Sequence, residues 1–264
     1  MIKLIPTKFL GSIVHLVTST SHPKFLVRIL CKWFAKKYNI DTNILSRPFD
    51  KYNSLLDFFI REPGEGIRPV CPGTDEIASP VDALVTAAGT AKSEEIILVK
   101  GSNCTINQLV QKNHSEYIGG DYVMLYLSPG DFHRIYSPID GVVSRSWFID
   151  GKLWPVFPKF VEKNPLTFCK NKRIITEISS DIGKIMVVKV GAMNVGRIPV
   201  NHAMPYSPEE KKTYKKGEEI GRFEFGSTVI LLFEKGKFKL DPQITIGSKV
   251  KIGQKIGALT FDFA

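Results

Sequence analysis

The sequence has 264 residues, of which 43% are hydrophobic and 23% charged, with a mean hydropathy of -0.02. That balance excludes wholesale disorder, collagen-like repetition and a polytopic membrane protein, and the length permits one or two domains with a sizeable core. The net charge of +10 points to nucleic acid only until it is located: residues 1–40 hold seven Lys/Arg and no acid, whereas the other 224 carry 29 basic and 26 acidic side chains. The body is nearly neutral and lacks an aromatic-basic RNA motif, so no nucleic-acid partner is expected.

In the N-terminal segment, Lys24, Arg28, Lys32 and Lys36 recur every fourth residue, with Phe25, Leu26, Ile29, Leu30, Trp33 and Phe34 on the opposite face. This spacing predicts one amphipathic helix over 24–37. The uncharged stretch 9–23 is broken by His15 and a polar cluster at 18–22, so it falls short of the roughly 18 to 20 apolar residues that span a bilayer. No small-residue cleavage site follows a clean apolar run, so a signal peptide is not expected either. A basic helix bearing Trp33 suits an anionic lipid surface, where each Lys or Arg is worth about 1 kcal/mol. It equally suits docking on the protein's own body with snorkelling lysines.

Residues 54–61, with Leu55, Leu56, Phe58 and Phe59, predict one more helix, ended by Pro63 and Gly64. From about residue 77 the pattern turns to short Val/Ile/Leu/Tyr/Phe runs such as 122–127, 185–190 and 229–233, punctuated by Gly, Pro and Asp, with a short helix at 106–110. The expected fold class is α+β, an N-terminal amphipathic helical arm packed on a β-rich body. Two internal echoes support the β body. Residues 215–223 and 251–259 share K-x-G-x-x-I-G-x-apolar, which reads as repeated turn chemistry, and Ser79-Pro80-Val81-Asp82 pairs with Ser137-Pro138-Ile139-Asp140, each placing an Asp at the start of a strand. Cys31, Cys71, Cys104 and Cys169 show no CxxC pairing. Neither a disulfide framework nor a metal site is expected, and a reducing compartment or indifference to redox is the default.

Three places carry candidate chemistry. His133 and Arg134 lie in a Pro/Gly-bounded turn just after the 122–127 run, where a general base is well placed, although a lone His is more often structural. Gly226-Ser227-Thr228 opens a run of β-branched and aliphatic residues, and a Gly before the Ser leaves its carbonyl open to attack by the next hydroxyl; taken alone, the triplet means a turn. Asp82 reads by itself as an Asp in a turn. Together the three offer a nucleophile, a base and an orienter on separate strands.

From about residue 40 to its end the chain resembles the phosphatidylserine decarboxylase family. The matching text is Ser79-Pro80-Val81-Asp82; Leu125-Tyr126-Leu127-Ser128-Pro129 followed by Phe132-His133-Arg134-Ile135; Val190-Gly191-Ala192-Met193-Asn194; and Phe225-Gly226-Ser227-Thr228-Val229-Ile230. The resemblance implies a proenzyme that cuts itself between Gly226 and Ser227. Ser227, deprotonated by His133 with Asp82 holding the imidazole, attacks the Gly226 carbonyl. Elimination and hydrolysis then release ammonia and leave a covalent pyruvoyl group (pyruvate) derived from Ser227.

By the same resemblance, that ketone forms a Schiff base with phosphatidylserine and releases CO2 to give phosphatidylethanolamine, with His133 as proton donor, its charge adjustable near neutral pH. The partners implied are the phosphatidylserine substrate, an anionic membrane surface, and a heterodimer of a large chain (1–226) and a small chain (227–264). Residues 1–40 are then the membrane-docking segment and 41–264 the catalytic domain, peripheral on the cytoplasmic face of the cell membrane. Arg134, or Asn171 with Arg173, would meet the lipid phosphate or carboxylate, solvated surface roles remaining open for the latter pair. The chain departs from the family at Tyr136, where many members carry a second His, and at Ala83, where many have Gly. Tyr136 is therefore a candidate proton donor. The alternative function is a non-processing lipid-binding relative of the same fold.

Overall fold

The run 227–233 shows no polar alternation because the strand it forms is covered on both faces. The computed structural model describes residues 18, 21, 23–92, 95–99, 102–193, 197–204, 206–207, 209–224 and 227–260. Phe225, Gly226 and Asn194, on which parts of the sequence reading rest, lie outside the described residues, as do residues 1–17.

The strands in chain order are β1 (Glu76–Ala78), β2 (Ala83–Thr90), β3 (Glu95–Val99), β4 (Ser102–Thr105), β5 (Asp121–Leu127), β6 (Arg134–Tyr136), β7 (Gly141–Ile149), β8 (Arg173–Ser180) and β9 (Gly183–Gly191). They continue with β10 (Thr213–Tyr214), β11 (Glu219–Arg222), β12 (Ser227–Phe233), β13 (Phe238–Leu240), β14 (Lys249–Val250) and β15 (Lys255–Leu259). Eight of them form one antiparallel sheet in the order β10-β7-β8-β9-β12-β5-β2-β14. β12 lies inside it, with Ser227 opposite Leu127 of β5 on one side and Gly191 of β9 on the other.

Alternation sends Ile230 and Leu232 to one face, with Met186, Val188 and Val190, under the helices Ile106–Val110, Pro158–Val161 and Thr167–Lys170. It sends Val229, Leu231 and Phe233 to the other, with Ile185 and Val187, under the sheets β1-β15-β13 and β11-β6. The molecule is thus α+β, and its helical arm packs on the β-rich body. The Lys24–Lys37 helix spans the residues its charge spacing predicts, and Lys36 and Lys37 close it where cations suit the helix dipole. Val27, Cys31, Phe34 and Ala35 face inward onto Tyr52, Phe58 and Phe59, whereas Phe25, Leu26, Ile29, Leu30 and Trp33 are exposed. Phe34 therefore departs from the apolar set assigned to it, because a stripe this wide has one edge to bury and one to leave bare. The second helix is shorter than expected, Leu55–Phe59, with the Ser54 hydroxyl accepting from the Asp57 amide at 3.0 Å.

Both sequence echoes become one structural duplication. Ser79 Oγ donates to the Val81 carbonyl at 2.8 Å, and Ser137 Oγ to the Ile139 carbonyl at 2.7 Å. The two turns clasp each other, Ala78 N–H to the Pro138 carbonyl and Tyr136 N–H to the Pro80 carbonyl, both at 2.9 Å. Asp82 caps the 251–254 turn by accepting from Ile252 N–H at 2.8 Å, and Asp140 caps the 215–218 turn by accepting from Lys216 N–H at 2.9 Å. Gly217 and Gly253 take φ +82° and +80° at equivalent places. A Cβ on the first would lie 2.5 Å from Val70 Cγ2, and on the second 2.5 Å from the Pro69 carbonyl oxygen.

One expectation fails here. Cys104 and Cys169 form a disulfide, joining β4 to the Thr167–Lys170 helix across a separation of 65 residues. Spacing along the chain carries no signal of that meeting, because it depends on how the helical layer folds back over the sheet. Cys31 and Cys71 are free.

Candidate active site

Ser227 opens β12 where three strands end together, since its ladder partners Leu127 and Gly191 are the last residues of β5 and β9. Its side chain is fully buried, and its Oγ has no hydrogen-bond partner among the described residues. The same holds for Thr228 Oγ1 beside it. A buried hydroxyl without a partner costs about 1–3 kcal/mol, so two in succession at a strand end mark a place where something other than stability is served.

The loop after β5 carries a third such group. Asp131 shapes it by accepting from Ser128 N–H at 2.7 Å and Ser128 Oγ at 2.8 Å. His133 is wholly buried, with its ring centroid 3.9 Å from that of Phe59. Its Nδ1 lies 2.9 Å from the Asp131 carbonyl oxygen. A carbonyl only accepts, so the proton sits on Nδ1, and Nε2 keeps its lone pair, buried and without a partner among the described residues. Phe223 N–H donates to the His133 carbonyl at 2.9 Å, which ties this loop to the segment leading into Ser227. The two unpartnered atoms therefore sit on backbone joined twice, at Leu127–Ser227 and at His133–Phe223.

Burial, and after it the charge of Arg61, pushes the His133 imidazole down to about 3. The ring is thus a neutral acceptor at neutral pH, which overturns the expectation of a charge adjustable there. Arg61 went unnoticed in the sequence, where it closes an apolar run. It is buried, donates to the carbonyls of Gly130, Asp131, Phe58 and Phe59, and stands over the rings of Phe58 and Phe132. The available signal was a single cation between Phe58-Phe59-Ile60 and Pro63.

The other expected site residues fall out as follows. Asp82 does not hold the imidazole: Arg68 pairs with it through Nε at 2.9 Å and Nη2 at 2.6 Å, and Nδ1 of His133 goes to a backbone carbonyl instead. Arg134 is engaged by Glu219 at 2.5 Å, Glu62 at 2.8 Å and the Ile60 carbonyl at 2.9 Å. Tyr136 is half-buried, and burial pushes its phenol up to about 12. Ala83 is ordinary strand backbone opposite Val250, so Gly is not needed there.

Asn171 and Arg173 are neither surface groups nor anion contacts. Asn171 clamps Trp154 and the Gly191 carbonyl, and Arg173, fully buried, donates to the carbonyls of Leu109, Gln108 and Asn171.

A second polar cluster lies on the sheet face shared by Val187 and Val229. Lys189, wholly buried, donates to Thr176 Oγ1 at 2.7 Å; Thr176 meets Ser146 Oγ at 3.1 Å, and His202 Nε2 lies 2.9 Å from Ser146 Oγ. No carboxylate pairs with Lys189 among the described residues, and burial lowers its amine from 10.5 to about 7. Between those values the unfolded chain binds a proton the folded chain does not, so stability rises with pH across that window. A Lys189→Met chain is expected to lose this slope, checked by urea midpoints at about pH 7 and about pH 10. An equal slope in both proteins would count against a neutral buried amine.

Among the described residues, no helix is long and apolar enough to cross a membrane. A sequence profile described as phosphatidylserine decarboxylase matches residues 55–258. The phosphatidylserine decarboxylase proenzyme of Anoxybacillus flavithermus is 38% identical over 234 residues, covering 88% of this chain and 86% of the relative. The proenzyme of Myxococcus xanthus is 33% identical over 272 aligned positions, covering 98% and 97%, and that of a Geobacillus species 36% over 236, covering 89% and 88%.

Proposed function

The chain belongs to the phosphatidylserine decarboxylase family, and from that membership we propose that it matures by cutting itself before Ser227 and then decarboxylates phosphatidylserine. It is a carboxy-lyase, and its substrate is a membrane phospholipid. The observation that carries the maturation is that two buried atoms, Oγ of Ser227 and Nε2 of His133, have no hydrogen-bond partner among the described residues and lie on doubly joined backbone. An orphaned serine hydroxyl at this position fits the group that the family makes from it.

In this reading Nε2 of His133 takes the Ser227 proton as Oγ attacks the Gly226 carbonyl, and the amide becomes an ester. β-Elimination frees the Gly226 carboxylate and leaves dehydroalanine at 227, whose hydrolysis releases ammonia and leaves a ketone. That ketone supplies the electron sink for a breaking carbon–carboxylate bond, which no ordinary side chain provides. Arg61 and Asp131 hold the His133 loop and its tautomer. Asp82 acts at a distance from the imidazole, fixing Arg68 and the 251–254 turn. β12 stays bound after the cut through its two ladders and its burial on both faces, so the 226-residue and 38-residue chains remain a heterodimer. Intact mass of the purified protein tests this, since two chains, the smaller lighter by the change from serine to pyruvoyl, are required.

The lipid substrate gives the arm a use. Phe25, Ile29 and Trp33 are 64%, 57% and 53% exposed beside Lys32 and Lys36, the pattern of a helix lying in a membrane interface. The helix packs on Phe59, whose ring lies against that of His133, so docking the arm peripherally on an anionic bilayer brings lipid to the site. Replacing Phe25, Ile29 and Trp33 together by Ser is expected to cut sedimentation with anionic vesicles at least about ten-fold, from lost apolar burial. Unchanged sedimentation at low and high salt would remove this part of the proposal.

A further inference from the structure

Next to Ser227 lies a cleft that the maturation chemistry leaves unused. Its volume is about 380 Å³, and Gly191, the ladder partner of Ser227, forms part of its wall. Directly paired residues of an antiparallel ladder have Cα atoms about 4.5–5.5 Å apart, so this wall stands beside the residue that becomes the reactive terminus. The cleft is lined by two cations, Lys172 and Arg197, and by the apolar side chains of Leu153, Ile198 and Phe148. Gly191 leaves it open: a Cβ there would lie 3.4 Å from Ile198 Cδ1 and 3.7 Å from Leu153 Cδ2.

Each cation is pinned by backbone to one side of Ser227. Gly191 N–H donates to the Lys172 carbonyl at 2.8 Å, and Glu224 N–H, three residues before Ser227, donates to the Arg197 carbonyl at 3.3 Å. Neither charge is firmly spent. Lys172 meets Asp150 at 3.3 Å, but that carboxylate is 75% exposed, and a pair of this kind is worth at most about 1 kcal/mol. Arg197 pairs with no carboxylate among the described residues. Another cleft also holds two cations, Lys249 and Lys251, yet Asp82 and Asp131 line it as well and oppose an anion. The Lys172–Arg197 cleft is cationic without such opposition, and a guanidinium beside an ammonium is a phosphate-binding set.

We propose that Lys172 and Arg197 hold the phosphodiester of the lipid substrate, with Ile198, Leu153 and Phe148 against its glycerol end. This deepens the decarboxylase reading and rests on it for the identity of the lipid. The head group then has two fixed ends, its amine at residue 227 and its phosphate in this cleft, so the carboxylate to be lost is positioned by both.

The test separates the cleft from the chemistry. The Ser227→Ala chain is titrated calorimetrically with glycerophosphoserine, serine and inorganic phosphate, alone and with Lys172→Gln, Arg197→Gln or Lys172→Arg added. Glycerophosphoserine is expected to bind more tightly than serine or phosphate. Each Gln change weakens it at least about ten-fold, the loss of one charge-assisted contact, and Lys172→Arg restores it. In the maturing protein the Gln changes are expected to raise KM for phosphatidylserine in mixed micelles by a similar factor, with a much smaller change in kcat.

Glycerophosphoserine binding that ignores both Gln changes overturns the proposal, as does serine binding equally well. Phosphate binding as tightly as the diester assigns the cleft to free phosphate and overturns the head-group assignment. A protein that binds glycerophosphoserine through these residues but releases no CO2 leaves the cleft assigned and defeats the decarboxylase reading instead.

Discussion

A Ser227→Ala chain is expected to run on a denaturing gel as a single 29.6 kDa band and to release no CO2 from phosphatidylserine, whereas the unaltered protein is expected to separate into chains of 226 and 38 residues. The change removes the only atom proposed to attack Gly226. It also removes a buried hydroxyl that has no partner among the described residues, so the chain should be more stable than unprocessed protein, by about 1–3 kcal/mol. His133→Asn makes the sharper test. An asparagine amide reaches the Asp131 carbonyl as Nδ1 does, keeping the loop, but offers no lone pair where Nε2 stands. Self-cleavage should slow by about 10²–10⁴-fold, the usual worth of a positioned base. A His133→Asn chain that matures at the normal rate would show that the proton leaves Ser227 by another route.

The sequence carried the scaffold of this site further than its pairings. Strand runs at 122–127, 185–190 and 229–233 are legible because a strand buried on both faces has no polar interruption, and Ser227 is placed at a strand entry by the same pattern. The echoes were legible too, since positive φ at Gly217 and Gly253 requires Gly at both turns. Side-chain partnership was not legible. Asp82 and His133 share a motif set, yet Asp82 finds Arg68 and an amide, and its twin Asp140 shows that capping a distant Lys-x-Gly turn is what the Ser-Pro-x-Asp fragment itself specifies. Arg61 was invisible as a functional residue because its partners are carbonyls, which leave no trace in sequence. Asn171 and Arg173 deceived for the converse reason: polar residues ahead of a strand look solvated until a helix closes over them.

Arg61 holds the His133 loop, and replacing it is expected to affect both the stability of that loop and its chemistry. In Arg61→Met the part-buried carbonyls of Gly130 and Asp131 lose a donor, and each acceptor left without one costs up to about 1–3 kcal/mol. The unfolding midpoint should fall, and cleavage should slow by about 10²-fold as the His133 loop loosens, the penalty of a small misplacement of a reacting group.

A merely structural role predicts nothing more, but the charge does. Cleavage needs neutral His133, so its rate falls as pH drops through the imidazole pKa. Burial sets most of the depression to about 3, and the Arg61 cation adds to it. Removing the cation raises the pKa part of the way toward the ordinary value, which moves the acid limb of the cleavage profile to higher pH. Arg61→Lys keeps the charge and should keep the limb in place while still loosening the loop, because an ammonium cannot span four carbonyls as the guanidinium does. If the limb stays put in the Met chain and only the rate falls, Arg61 is a clamp without electrostatic influence on the base. If it moves in Met and not in Lys, Arg61 both clamps the loop and tunes the base proposed to start the maturation.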